Sequence, residues 1–237
     1  MSGTRELELS GVSIQLAGLP LIDGLHARVA PGQCLTVMGP SGSGKSSLLA
    51  YLAGTLAPAF QASGSVRIAG AELTALPPER RGMGILFQDD LLFPHLSVGG
   101  NLAFALPASV RPRAARQAVI DAALAEAGLA GMARRDPATL SGGQRARVAL
   151  MRTLLARPRV LLLDEPFNKL DAQLRQDFRQ FVFDHARRHA LPVVLVSHDE
   201  ADALAAGGQV LQLSAGGQAV ALAAGPGGTS PGQGLTP

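Results

Sequence analysis

Apolar residues fall along the chain first in short runs, then in helical stretches, then in continuous blocks. "ELELSGVSI" alternates loosely and "GQCLTVMG" ends on a glycine loop, so residues 5–37 read as short strands. "SSLLAYLAG" takes helical spacing and stops at Gly54. "GSVRIAG" (64–70) reads as a strand between glycines, and "GMGILFQ" as an apolar strand leading to Gln88. From residue 95 to 158 the pattern turns alanine-rich and arginine-dotted, as in "PRAARQAVIDAALAEAGL", and predicts helices. Two apolar blocks follow, "RVLLLDE" (159–165) and "LPVVLVSH" (191–198), with a helical stretch, "AQLRQDFRQFVFDHARRH", between them. Strand, helix, strand with continuous apolar strands predicts a parallel sheet buried on both faces, hence an α/β fold. Right-handed crossovers then gather the functional loops at the carboxyl ends of the strands. The final "GPGGTSPGQGLTP" has almost no apolar mass, so residues 224–237 are expected to form a disordered tail.

Composition supports a large core. Hydrophobic residues make up 47% of 237, enough for one domain or a core with a small inserted lobe. A net charge of +3 is spread without a basic tract, which reads as solvated surface and calls for no nucleic-acid partner. Cys34 is the one cysteine, so no intramolecular disulfide forms, which fits a reducing compartment. The beginning lacks a basic-then-apolar leader, and no apolar run reaches the roughly 18 residues of a spanning helix. The expectation is a soluble chain whose membrane role, if any, runs through a partner.

Lysine occurs only at Lys45 and Lys169, and the first of these sits in "GPSGSGKS", residues 39–46. That stretch matches the phosphate-binding pattern G-x-x-x-x-G-K-[ST], placed between a strand and a helix. Glycines let backbone N–H groups converge on phosphate oxygens, and the helix N-terminus adds its positive dipole end. Lys45 is expected to reach the β- and γ-phosphates of a nucleotide, and Ser46 to ligate Mg²⁺.

"RVLLLDEP" puts Asp164 at the end of a buried strand, where a carboxylate can hold the hydration shell of Mg²⁺. Glu165 is then the base or orienter for the attacking water. The competing reading of such a pair is a helix N-cap with favourable first-turn charge. His198 ends the next apolar block, either to sense the γ-phosphate or as a structural histidine. Gln88 ends a strand too, capping a loop or touching Mg²⁺ and water. "LSGGQ", from Leu140 to Gln144, is a second small-residue loop ahead of a helix, and one domain has no evident need for two.

The order glycine loop, "LFQ", "LSGGQ", "LLLDEP", "SH" resembles the ATP-binding subunit of an ABC transporter over residues 5–215. "FQDDLLFPHLSVGGNLAFAL" further resembles the bacterial importer branch, with subunits serving thiamine, iron, sulfate or polyamine uptake. The resemblance implies a P-loop NTPase core with a mostly parallel sheet, an N-terminal antiparallel β subdomain and a helical lobe inserted at 92–158, all within 1–223. It implies that Gly39, Pro40, Ser41, Gly42, Ser43, Gly44, Lys45, Ser46 and Ser47 form the Walker A loop. Asp164 would be the Walker B carboxylate, Glu165 the catalytic carboxylate and His198 the switch histidine. Gln88 would link Mg²⁺ to a transmembrane partner. Ser141, Gly142, Gly143 and Gln144 would bind the γ-phosphate held by the other subunit of a head-to-tail homodimer, and Asp171 would contact across that dimer. The partners implied are two transmembrane permease subunits and a periplasmic or lipid-anchored solute-binding protein, with this chain on the cytoplasmic face of the membrane.

The sequence departs from the family pattern in places. Relatives stack adenine on an aromatic where this chain has Leu16, and no aromatic precedes Tyr51. Weaker nucleotide affinity or looser base selectivity is expected, by on the order of 1 kcal/mol of stacking. "FNKLD" replaces a "SALD"-like run, and its Lys169 either pairs across the dimer or is a solvated surface lysine. After His198, "AAGGQV" lacks the family's usual acidic residue. The function expected is ATP hydrolysis powering import of a small solute. The alternative is an ABC-type ATPase mechanically coupled to a membrane complex of the cell-division or lipoprotein-release type. DNA-repair and ribosome-acting relatives carry coiled coils, zinc modules or paired ATPase domains that this sequence lacks, and a simple P-loop kinase gives "LSGGQ" no task.

Overall fold

Two sheets organise residues 5–214 and 219–222, the parts of the chain that the computed structural model describes. The first is antiparallel, in the order β2-β1-β4-β5: β1 (Leu7–Leu16), β2 (Leu19–Val29), β4 (Phe60–Ile68) and β5 (Ala71–Glu72). The second runs β10-β9-β3-β8-β7-β6: β3 (Cys34–Met38), β6 (Met83–Leu86), β7 (Val160–Asp164), β8 (Val193–Val196), β9 (Gln209–Leu213) and β10 (Ala219–Leu222). Its strands β9-β3-β8-β7-β6 are parallel, and β10 pairs antiparallel at one edge. The helices are α1 (Lys45–Ala53), α2 (Pro78–Arg81), α3 (Val98–Ala105), α4 (Arg113–Glu126), α5 (Gly142–Leu155), α6 (Ala172–Arg188) and α7 (Glu200–Ala206).

The apolar blocks become the central strands because every residue of β8, and Val160 to Leu163 of β7, is buried. Successive side chains point to opposite faces of the sheet. Val160, Leu162, Val194 and Val196 therefore join α1 and the antiparallel sheet in one core, together with Leu48, Leu52, Ile14 and Val66. Leu161, Leu163, Val193 and Leu195 join α5 and α6 in a second core, with Phe167, Phe178 and Val182. A third core lies under α3, α4 and α5 and includes Val98, Leu102, Ile120, Leu124, Val148 and Met151. Helix α5 serves both of the latter, since Ala146, Ala149 and Leu150 face the second core while Val148 and Met151 face the third. The segment expected to form a helical lobe, 92–158, thus contains α3 to α5.

Several element bounds move from the sequence expectation. The strand expected at 64–70 is β4 and starts at Phe60, because Gln61 and Ala62 already pair with Gln15 and Ile14 of β1. Gly64 lies inside it at φ 105°, where an added Cβ would meet Gly11 O at 2.6 Å. Only glycine allows that close approach of β1 and β4. The strand expected to run to Gln88 ends at Leu86, leaving Phe87 and Gln88 exposed. Cys34 is buried in β3, and burial pushes its thiol up to about 12. The proposed tail, 224–237, lies outside the described residues.

Candidate functional site

The glycine loop leaves the carboxyl end of β3 and turns into α1. Gly39 has φ 150°, and a Cβ there would meet Leu213 O at 2.6 Å, so the loop lies close against β9. Gly42 and Gly44 have φ 80° and 91°, left-handed values that L side chains rarely adopt. Pro40, Ser41 and Gly42 are exposed, whereas Ser43, Gly44 and Lys45 are buried. Lys45 Nζ donates to Gly39 O and Pro40 O, each at 2.8 Å, so the ammonium sits in the concavity of its own loop. Among the described residues, Ser43 Oγ is buried without a hydrogen-bond partner. An orphaned hydroxyl, a buried ammonium and the open end of α1 together suit the phosphate oxygens of a nucleotide. Ser47 lies half-buried in the first turn of α1.

Asp164 ends β7 two strands from β3, and Ser46 Oγ donates to its Oδ1 at 3.3 Å. Burial raises the Asp164 pKa; the Ser46 hydroxyl and the Lys45 charge oppose that rise, and the Glu165 charge adds to it. The helix-cap reading of the Asp-Glu pair is corrected: the next helix, α6, begins at Ala172, and Asp171 caps it by accepting from Leu174 N at 3.0 Å. Ser46 Oγ and Asp164 Oδ1 are hard oxygen donors that fit Mg²⁺.

Glu165 adopts φ 48°, an unusual value for a non-glycine residue, and its N–H donates to Val196 O at 3.0 Å. The structure brings His198 to it, with Nδ1 at 3.4 Å from Glu165 Oε1. It also brings Asn168, whose Nδ2 donates to Glu165 Oε2. Sequence reasoning missed Asn168. Its signal was the "FNKLD" departure, which puts an amide three residues after the carboxylate.

Gln88 follows β6 in an exposed loop, which is tied down by its neighbours. Asp89 pairs with Lys169 of the same chain. Both side chains are more than half exposed, and the pair joins the loop after Gln88 to the "FNKLD" turn within the single chain. Asp90 accepts from Arg145 Nε at 2.8 Å, and Arg152 donates to Asp90 O and Leu91 O at 3.1 and 2.7 Å. Both arginines belong to α5.

"LSGGQ" forms the N-terminus of α5. Ser141 Oγ accepts from Gln144 N at 3.3 Å, and Gln144 Oε1 accepts from Ser141 N at 3.0 Å, a reciprocal capping box. Gly142 and Gly143 occupy the first turn, which holds no acidic side chain. That end carries unpaired N–H groups and the positive end of the helix dipole, which suit an anion. Leu16 ends β1, 37% exposed, with Phe60 of β4 as its cross-strand partner. Sequence reasoning missed this neighbour, because strand register brings together residues far apart in the chain.

The parallel sheet, the glycine loop on α1 and the carboxylates at the end of β7 define a P-loop nucleotide-binding ATPase. A family profile described as ABC transporter matches residues 22–168. The chain is 50% identical over 197 residues, 83% of its own length and 90% of the relative's, to the uncharacterized ABC transporter ATP-binding protein YnjD of Escherichia coli (strain K12). It is 39% identical over 212 residues to the putative 2-aminoethylphosphonate import ATP-binding protein PhnT of Salmonella typhimurium, covering 88% of this chain and 56% of the relative. It is 42% identical over 192 residues to the sulfate/thiosulfate import ATP-binding protein CysA of Mycobacterium bovis, covering 81% and 54%. The chain spans about half the length of these two import relatives. The protein belongs to the ABC transporter family as an ATP-binding subunit with ATPase activity. No helix among the described residues is long and apolar enough to cross a membrane.

Proposed function

We propose that this subunit powers import of a small solute through two separate permease subunits, with a solute-binding protein delivering the cargo. It works as a head-to-tail homodimer at the cytoplasmic face of the membrane. The relatives named for import support the direction. The observation that carries the dimer is the separation of the two anion-suited helix ends. The glycine loop lies at the end of β3, whereas α5 packs beside β6, three strands away in the sheet. At roughly 4.8 Å per strand β3 and β6 lie about 14 Å apart, and the first turn of α5 faces Leu170 and Leu174 rather than the glycine loop. Ser141, Gly142, Gly143 and Gln144 therefore suit the γ-phosphate of ATP held by a second copy.

Within one subunit, Gly39 to Ser47 cradle the triphosphate. Ser46 and Asp164 would hold Mg²⁺, with Gln88 as a further ligand, and the ion would supply neutralisation of phosphate charge. Glu165 orients the attacking water; His198 and Asn168 fix the carboxylate. Leu16 lies against the base, and Asp171 faces the second subunit. ATP held between two copies binds the closed state better than the open one, and that difference supplies the work.

The test is Glu165→Gln in the full chain, with Ser141→Arg as a second arm. Glu165→Gln is expected to keep ATP binding, accumulate a dimer in size-exclusion chromatography and lose turnover. Ser141→Arg is expected to keep ATP binding while losing both dimer and turnover. Unchanged hydrolysis in Glu165→Gln would remove Glu165 from its role.

A further inference from the structure

Away from the nucleotide loop, a cavity of about 470 Å³ opens between α4, α5 and α6. Three side chains on its wall have ligating chemistry: Glu126 at the end of α4, and His185 and His189 in the last turn of α6 and just beyond it. Their ligand atoms all lie within 4.8 Å of one another. His185 is buried, and its Nδ1 already lies 3.0 Å from Glu126 Oε1. The two imidazole rings have centroids 4.2 Å apart, because residues four apart share a helix face. Nothing in the ATPase chemistry uses these groups.

We infer that Glu126, His185 and His189 form a site for a divalent transition metal of the zinc class, bridging α4 to α6. Two imidazoles and one carboxylate are a donor set suited to Zn²⁺, and they leave a fourth tetrahedral position. At Zn–N and Zn–O lengths of about 2.0–2.2 Å, adjacent donors sit roughly 3.3 Å apart. The His185–Glu126 pair is already near that spacing, and His189 closes the rest by a side-chain rotation at an exposed position. Arg188 Nη2 lies 3.0 Å from Glu126 Oε1, and at 56% exposure it can turn to solvent when a cation takes that oxygen. Arg5 and Arg157 also line the cavity, so the fourth position favours water or a small anion over a further cation. Ala127, next to Glu126, belongs to the third core and Ala186, next to His185, to the second, so the bound ion ties the end of α4 to the end of α6.

The experiment uses the full chain stripped of metal by a chelator, then titrated with Co²⁺ and Zn²⁺. Wild type is expected to develop the visible absorption of tetrahedral Co²⁺, bleached by one equivalent of Zn²⁺. Zn²⁺ at about a hundredfold over its Kd is expected to raise Tm by about 5–10 °C, whereas Mg²⁺ at the same concentration is not. His189→Ala and Glu126→Gln, both at surface positions, are expected to weaken binding at least tenfold. Absence of tetrahedral Co²⁺ absorption in wild type overturns the site. Equal binding by wild type and both variants also overturns it, since the ion then sits elsewhere, as at Asp164, Glu165 and His198.

Discussion

Arg145 Nε donates to Asp90 Oδ2 at 2.8 Å, joining the first turn of the "LSGGQ" helix to the loop that follows Gln88. Arg145 also donates to Leu140 O at 2.9 Å, so one guanidinium holds both the loop and the backbone before Ser141. The pair is partly exposed, which limits its strength. A double-mutant cycle of Arg145→Ala and Asp90→Ala, read by urea unfolding, is expected to give a coupling of about 0.5–1 kcal/mol. Additive losses would mean that the contact does not tie the two segments.

Asn168 supplies the amide on Glu165 Oε2. Removing one hydrogen bond to a charged group costs roughly 1.5 kcal/mol, about tenfold in rate if the bond orients the carboxylate in the transition state. Asn168→Ala is therefore expected to lower kcat about tenfold while leaving the nucleotide Kd within about twofold. Steady-state hydrolysis alongside equilibrium nucleotide binding separates the two. A change confined to Kd would place Asn168 in binding instead.

In the proposed site Leu16 meets the base through an aliphatic side chain, 37% exposed at the end of β1. Leu16→Tyr is expected to tighten ATP binding by about fivefold, the equivalent of roughly 1 kcal/mol of stacking, and to shift the ATP/GTP ratio. Calorimetric titration with both nucleotides decides it. If neither affinity nor ratio moves, the residue at position 16 does not limit nucleotide binding.

Asp199 follows His198, caps α7 and accepts from Arg179 at 2.7 Å and Arg175 at 3.4 Å. Burial alone would raise its pKa, but the Ala201 N–H and the two arginines outweigh that and hold it low. A carboxyl lowered on folding adds stability above its unfolded pKa of about 3.9 and loses it as pH falls through the folded value. Asp199→Asn keeps the cap and removes the charge. It is expected to lower Tm by about 2–4 °C at pH 7, with the gap closing below about pH 4. A gap that stays constant from pH 7 to about 3 would mean that the charge contributes nothing.

Much of this was legible because local patterns dictate it. The continuous apolar blocks at 159–165 and 191–198 could be satisfied only by a sheet covered on both faces, and they became β7 and β8. "GPSGSGKS" specifies its loop through backbone freedom at Gly42 and Gly44, which is a local property. The early start of β4, by contrast, depends on pairing with β1 some 45 residues away. Phe60 opposite Leu16, Lys169 on Asp89 and Arg145 on Asp90 are likewise set by register and by helix docking, which no run of residues encodes on its own. His185, His189 and Glu126 belong with these. The spacing of the two histidines was visible in "DHARRHA", but only the approach of the end of α4 to His185 adds the carboxylate.

Helix α5 has a consequence for how the molecule comes apart. One buried face belongs to the third core, under α3 and α4, and the other to the second, against α6 and the sheet. Shearing the layers would strip Leu150 on one side or Met151 on the other, each a large apolar side chain whose exposure costs roughly 1.5–3 kcal/mol. Parting the helical layer from the sheet therefore exposes apolar surface along the same helix that Ser141 caps.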